Sequence, residues 1–506
     1  MGLRARLPGS GRAPAGGGSA TADYGKTASF LAVGVGMTGV ITYVYFFIAS
    51  HVLSKPDYGE ITVVWSAVFI TVSTLYRPVD QLLSRHISER LAKGEPIREP
   101  TLVATKIQLC LAAAFALVTL ALRGPIEDGL LDGNETLYWV FLGAVLFYAA
   151  SYFARGYLAG HRRFGLFTAM ILSESVFRTL FAVLVAVGLL SGQSAVAIGI
   201  VAAPSLSLLV VPAAFALRAR RSQRDTPSDL DRTRAGGAVA GVPHSGGRRE
   251  AASEHMGEGR RDRTRAPERQ SDEFTLTHGT GFAAAVLLIM FSEQAFLNAG
   301  PLIVRGLEGA AAAGFIFNVL MIARAPLQLF QAVSTSILPH LTALHSSTDP
   351  EGKTEFHRSV RMVLLAIAAF TAFLALVVLV AGPQLMQLAF SDKFSYDRGG
   401  LLLVSAGMGL YLASVTINQA CIAQGQVRRA SARWIACAAL FVAWCFLAPI
   451  GEEFRRVEIG FALAAALLLF LLFAIYRRPH ERLEDIPAAG SGQELETQLA
   501  AADEGA

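Results

Sequence analysis

The chain has 506 residues, of which 53% are hydrophobic and only 16% are charged. Soluble domains carry about a quarter charged residues, so this composition excludes an ordinary soluble protein. The formal net charge of +5 is not read as nucleic-acid binding, because the basic residues fall in loops between apolar runs, where membrane topology accounts for them. The four cysteines, Cys110, Cys421, Cys437 and Cys445, all lie inside apolar runs without metal-ligand spacing. They read as small packing residues, and neither a disulfide framework, a metal site nor a cofactor is expected.

Residues 1–26 are rich in Gly, Pro, Ala and Arg and lack the order of a signal peptide, so they are predicted to be a disordered tail. Apolar runs then predict membrane-spanning helices at 27–53, 59–83, 102–123, 136–158, 165–190 and 193–217. Each is long enough for a hydrocarbon core that takes about 20 residues to cross. Residues 218–275 are dense in Arg, Asp, Glu, Gly and Ser, cannot bury a core, and are predicted to be a disordered charged linker. Six more spans follow at 279–303, 311–345, 358–381, 399–423, 430–450 and 458–476, and then an acidic tail, 479–506, also expected to be disordered. The predicted architecture is an all-α integral membrane protein of about twelve transmembrane helices in two six-helix bundles, 27–217 and 276–478.

The loops alternate in charge. One side carries Arg85, Arg90, Lys93 and Arg98, then Arg155, Arg162 and Arg163, the linker, Arg358 and Arg361, Arg428, Arg429 and Arg433, and Arg477. The other carries Asp57, Glu127, Asp128, Asp132, Glu308, Asp392, Asp397, Glu452 and Glu453. The positive-inside rule therefore puts both termini and the linker in the cytoplasm of a cell whose plasma membrane the chain crosses. The external loops are all short. An acceptor-binding membrane glycosyltransferase, sugar ligase or polymerase normally needs a sizeable external loop, which leaves that enzyme class as a rival reading only.

The two halves share landmarks at an offset of roughly 255 to 265 residues, as a duplicated unit plus an insert would give. Tyr58-Gly59 opens the second span and Ala313-Gly314 the eighth. Gly124-Pro125 follows the third and Gly382-Pro383 the ninth. Gly156-Tyr157-Leu158-Ala159 ends the fourth, and Ala420-Cys421-Ile422-Ala423 ends the tenth, each before a basic turn. An even helix number per half makes these parallel repeats, which usually hold substrate between the halves.

With the Leu338–Leu341 sequence LPHL ending the eighth span, this pattern resembles the polysaccharide-transporter branch of the multidrug/oligosaccharidyl-lipid/polysaccharide (MOP) superfamily, over about 27–478. The resemblance implies a MATE-like, V-shaped transporter rather than an enzyme. It also implies that the chain flips a polyprenyl-diphosphate-linked oligosaccharide to the outer leaflet by alternating access, alongside the glycosyltransferases and polymerase of the same pathway. The first span, FLAVGVGMTGVITYVYFFIAS, lacks the acid that drug exporters of this superfamily place there, and the basic residues of lipid II flippases. A drug/cation antiporter and a lipid II flippase are therefore the alternatives. A scaffold that recruits cytoplasmic partners through the linker is a third.

Ionisable groups inside spans are costly and usually face a cavity or one another. Arg77, Asp80, Glu174, Arg178, Glu293 and Arg324 are such groups. Glu174 and Arg178 lie one turn apart and can pair along their helix. Arg77 can serve a cavity or snorkel to headgroups. Arg324 lies near mid-membrane two residues before Pro326, too deep for snorkelling, and Glu293 is similarly deep. Glu293 could pair with Arg324 or, like Glu174, couple a cation such as H+ or Na+. Asn298, Asn318, Gln328, Gln331 and Asn418 offer donors and acceptors for sugar hydroxyls or for helix–helix contacts. Arginine suits a diphosphate because its planar fork donates two parallel hydrogen bonds and stays charged. Arg324, Arg178 and Arg77, with Asn298, Asn318 and Asn418, are the candidate substrate-binding residues. No Walker loop and no catalytic constellation is present.

Overall fold

The computed structural model describes residues 17–214, 276–322, 324 and 350–477, apart from 392 and 395. The expected disordered linker and C-terminal tail, Gln328, Gln331 and the Leu338–Leu341 motif lie outside the described residues. The first half forms α1 (Gly17–Val52), α2 (Lys55–Leu75), α3 (Arg77–Lys93), α4 (Arg98–Ala121), α5 (Glu135–Gly160), α6 (Phe164–Ala186) and α7 (Gly192–Ser207), with a π-helical turn at Pro125–Leu130. The second half forms α8 (Leu276–Glu308), α9 (Ala310–Ile322), α10 (Pro350–Phe390), α11 (Arg398–Ala423), α12 (Val427–Leu447) and α13 (Glu453–Arg477). Among the described residues, 10 helices are long and apolar enough to cross a membrane. The shorter apolar helices Gly36–Val52, within α1, and Ala310–Ile322 stand at the first and eighth predicted spans.

The second span differs from expectation in being bent. Pro78 lacks a backbone N–H and its ring crowds the carbonyl four residues earlier, so the span divides at Tyr76 into α2 and α3. Elsewhere the ends follow local chemistry. Ser54, Asn134 and Asp397 cap α2, α5 and α11 by accepting hydrogen bonds from the backbone N–H groups of Asp57, Leu137 and Gly400. All three caps lie at the acidic end of the bundle. Gly94, at φ +70°, closes α3 at the basic end.

Each half packs as its own bundle. In the first, α1 lies on α6, α6 on α7, and α5 on both α3 and α7. In the second, α11 lies on α10 and α13, and α12 on α8 and α13. The outward faces of α4 and α10 present Leu109, Leu117, Leu365, Phe373 and Leu376, as lipid contact requires.

The bundles meet along a seam of α2 against α8 and α9. Gly59 and Gly314, the matched landmarks of the repeat, touch there. A Cβ on Gly59 would lie 1.8 Å from the Ala310 carbonyl oxygen, and one on Gly314 2.9 Å from the Gly59 Cα. Only glycine at both positions lets the backbones come this close. Tyr58 donates a hydrogen bond to the Asn318 side-chain oxygen across the seam, and the rings of Phe46 and Phe317 lie 4.6 Å apart. At the acidic end, Lys393 Nζ donates to the Leu53 carbonyl at 3.1 Å and Arg305 pairs with Asp132 at 3.3 Å, which ties the halves together at that end.

Candidate functional site

Helices α1, α2, α3, α5 and α6 of the first bundle and α8 and α9 of the second enclose a cavity of about 270 Å³. Its lining carries four arginines, Arg77, Arg155, Arg178 and Arg324, against one carboxylate, Glu174. Typical ligand pockets occupy about 300–1,000 Å³, so this partly open space is of headgroup size.

The first-bundle wall is built around Glu174, which is buried on α6. Its Oε1 accepts hydrogen bonds from the Tyr148 hydroxyl at 2.7 Å and from Arg178 Nη2 at 2.9 Å. Its Oε2 is paired with Arg155 Nη2. Arg178 Nη2 also donates to the Tyr148 hydroxyl at 3.0 Å. The Arg178 guanidinium lies 4.5 Å from the Trp65 ring, which stacks on Phe69 at 4.2 Å. Arg155 lies 4.7 Å from the Tyr152 ring. These π faces stabilise the cations by up to about 2 kcal/mol where water is excluded. The intrahelical pair predicted for Glu174 and Arg178 therefore forms, and the pair also lines the cavity.

The second-bundle wall carries Arg324. Its Nη2 donates to the Asn298 side-chain oxygen at 3.3 Å, and Asn298 donates in turn to Gln294 at 3.0 Å. Among the described residues no carboxylate pairs with Arg324. The Glu293–Arg324 pair considered from the sequence does not form: Glu293 instead interacts electrostatically with Arg77 of α3. Arg77 lines the cavity rather than reaching for headgroups. The Nε atoms of Arg155, Arg178 and Arg324 are buried without a hydrogen-bond partner. Buried donors normally find an acceptor, so these three arginines are incompletely satisfied at the cavity wall.

Two of the asparagines are elsewhere. Asn318 accepts from Tyr58 in the seam, and Asn418 accepts from the Trp434 indole N–H at 3.0 Å between α11 and α12. Both are buried and neither lines the cavity. Arg155, grouped from the sequence with the loop cations, is a correction. It falls inside the predicted span 136–158, and in the structure it lies within α5 and turns into the cavity. Tyr148, Tyr152 and Arg155 repeat at i, i+4 and i+7, a one-face pattern that could have marked it.

Solved structures share the fold across both bundles. A multidrug resistance MATE family transporter of the MOP superfamily in its inward-facing conformation superimposes with a TM-score of 0.59, covering 89% of this chain and 97% of its own. The chain has the MATE transporter fold. Identity to that structure is only 12%. A MATE structure in the bent conformation gives a TM-score of 0.54 at 13% identity over 90% of this chain and 95% of its own. The outward-facing conformation of a multidrug resistance MATE family transporter gives 0.55 at 14% identity over 89% and 94%. No protein-family model matches the sequence, and no curated protein does. In this MATE fold the cavity lies between the two bundles, where parallel-repeat transporters usually hold substrate.

Proposed function

We propose that the chain flips a polyprenyl-diphosphate-linked oligosaccharide from the cytoplasmic to the outer leaflet of the plasma membrane by alternating access of its two bundles. One observation carries this reading. The cavity between the bundles is lined by four arginines and a single carboxylate. Such a lining attracts an anion and disfavours a cationic drug, since like charges at close range repel. Bidentate guanidinium forks suit phosphate oxygens. The Trp65, Phe69 and Tyr152 rings on the same wall offer apolar faces for the first sugar. A membrane potential, negative inside, assists outward movement of the anion by about 2.3 kcal/mol per charge per 100 mV. H+ or Na+ is the proposed coupling cation, with Glu174 and Glu293 the candidate carriers.

A reconstituted flipping assay with the lipid-linked oligosaccharide tests the reading. Arg324→Ala is expected to abolish flipping at normal membrane abundance. Arg324→Lys should keep part of the activity, because the charge remains and the fork is lost. Full activity of Arg324→Ala would leave Arg324 a structural role only. Export of a cationic dye, with no flipping of the lipid-linked sugar, would favour the antiporter reading that the likeness in fold to multidrug resistance transporters raises.

A further inference from the structure

Glu174 holds together the groups best suited to grip a phosphate. Three donors, from Tyr148 and Arg155 on α5 and Arg178 on α6, converge on its two oxygens. The same three groups line or border the cavity, and both guanidiniums keep a buried Nε unused. Two buried arginines without a counter-ion would repel each other and remain poorly solvated. The carboxylate removes that cost while the cavity is empty.

We propose that Glu174 is an internal stand-in for the cargo's phosphate: an anionic phosphate entering the cavity takes over Arg155 and Arg178, and Glu174, displaced from them, takes up one proton. This inference rests on the anionic-cargo reading above. It adds the Arg155–Arg178–Tyr148 subsite and makes cargo binding a proton-uptake step.

The physical reason is a shared counter-charge. A phosphate beside an ionised carboxylate in a water-poor site repels it, and one of two such anions protonates. The proton comes from the buffered solvent, whose acid form becomes its conjugate base; it adds to a Glu174 oxygen and leaves a neutral acid beside Tyr148. Both arginines stay charged throughout. The other groups facing Glu174 do not replace it. From α5 come Tyr148, Tyr152 and Arg155. From α6 comes Arg178. From α1 come Tyr43 and Tyr45. From α3 come Arg77 and Asp80, the latter interacting with Arg155 and Arg77. From the far wall comes Arg324. α7 carries no acidic or basic residue between Gly192 and Ser207. Asp80, beside Arg155 and Arg77, and Glu293, beside Arg77, are the rival carboxylates among the described residues, and Asp80 is the one near the Arg155 that Glu174 holds.

Titration calorimetry on the purified full-length protein tests this. The probe is a short-chain polyprenyl diphosphate, with inorganic diphosphate as a second probe. Running it in buffers of different ionisation enthalpy counts protons. The wild-type protein should take up close to one proton more per probe than Glu174→Gln, the probe's own ionisation being common to both. Its affinity should weaken with rising pH by up to about tenfold per unit more steeply than that of Glu174→Gln. Asp80→Asn should behave as wild type. Should Glu174→Gln fail to fold, infrared difference spectra of the wild-type protein decide: a carboxylic-acid carbonyl band must appear on probe binding and shift in Glu174→Asp. Equal proton uptake in wild type and Glu174→Gln, loss of the linkage in Asp80→Asn instead, or no carbonyl band overturns the stand-in role alone. A wild-type protein that binds neither diphosphate overturns the flipping reading and this one together. Binding of inorganic diphosphate as tight as that of the polyprenyl form would make the subsite one for free phosphates.

Discussion

Arg324 and Asn418 are both buried polar residues, and their surroundings give them opposite roles. Among the described residues Arg324 keeps one long hydrogen bond, to Asn298, and a buried, unpartnered Nε at the wall of a cavity. Asn418 is taken up by the Trp434 indole N–H, away from any opening. Removing Asn418 leaves a buried donor unpaired, at a cost of about 1–3 kcal/mol. Asn418→Ala should therefore lower the thermal unfolding temperature while flipping per folded molecule is kept. Asn298→Ala also leaves a buried donor, on Arg324, without its partner, but it should in addition reduce flipping per folded molecule several-fold, because Asn298 orients Arg324 from the cavity wall. Measuring both quantities on one preparation of each variant separates the two roles. If both asparagines affected flipping equally, the cavity boundary drawn here would be misplaced.

At the scale of elements, the seam between α2 and α9 depends on two glycines. A side chain on Gly59 would meet the Ala310 carbonyl at a distance no contact tolerates, so α2 and α9 must separate to admit it. Overpacking of this kind costs typically 1–3 kcal/mol, and here it falls on the contact that closes the acidic end. Gly59→Leu should therefore open that end. The readout is maleimide labelling of Ala313→Cys, a fully buried seam position, in a chain with the four native cysteines replaced. Labelling should be slow with Gly59 and fast with Gly59→Leu. Equal labelling would mean that the seam does not govern access. The bend at Pro78 belongs to the same scale. It turns α3 away from the line of α2 and brings Arg77 to the cavity edge.

For the whole molecule, the charge alternation predicts that the basic end, the linker and both termini face the cytoplasm. Ser245→Cys, in the linker, should resist a membrane-impermeant thiol reagent in intact cells and react after permeabilisation. Labelling from outside would invert the assigned topology and, with it, the direction of flipping. The linker's composition offers no apolar face for packing. A chain lacking 225–270 should accordingly insert, fold and flip at wild-type rates in reconstituted vesicles. Lost activity at normal abundance would make the linker a working part of the transporter.

The sequence by itself determined the fold class. That follows from hydrophobic runs about 20 residues long, a local property of the chain. It also determined the Glu174–Arg178 pair, because i,i+4 neighbours on one helix must meet. Partners on different helices were another matter. Arg155 stands about a turn from the end of its predicted span and so reads as a cation of the basic end, whereas its turning into the cavity depends on how α5 sits against its neighbours. That Glu293 meets Arg77 rather than Arg324, and that Asn298 lines the cavity while Asn318 and Asn418 do not, depends on how each helix is rotated against its neighbours. Rotation is set by side-chain packing across the bundle, in which small residues such as Gly59 and Gly314 decide which faces approach. Only the tertiary structure holds that information, since no single helix records which of its faces the next one will cover.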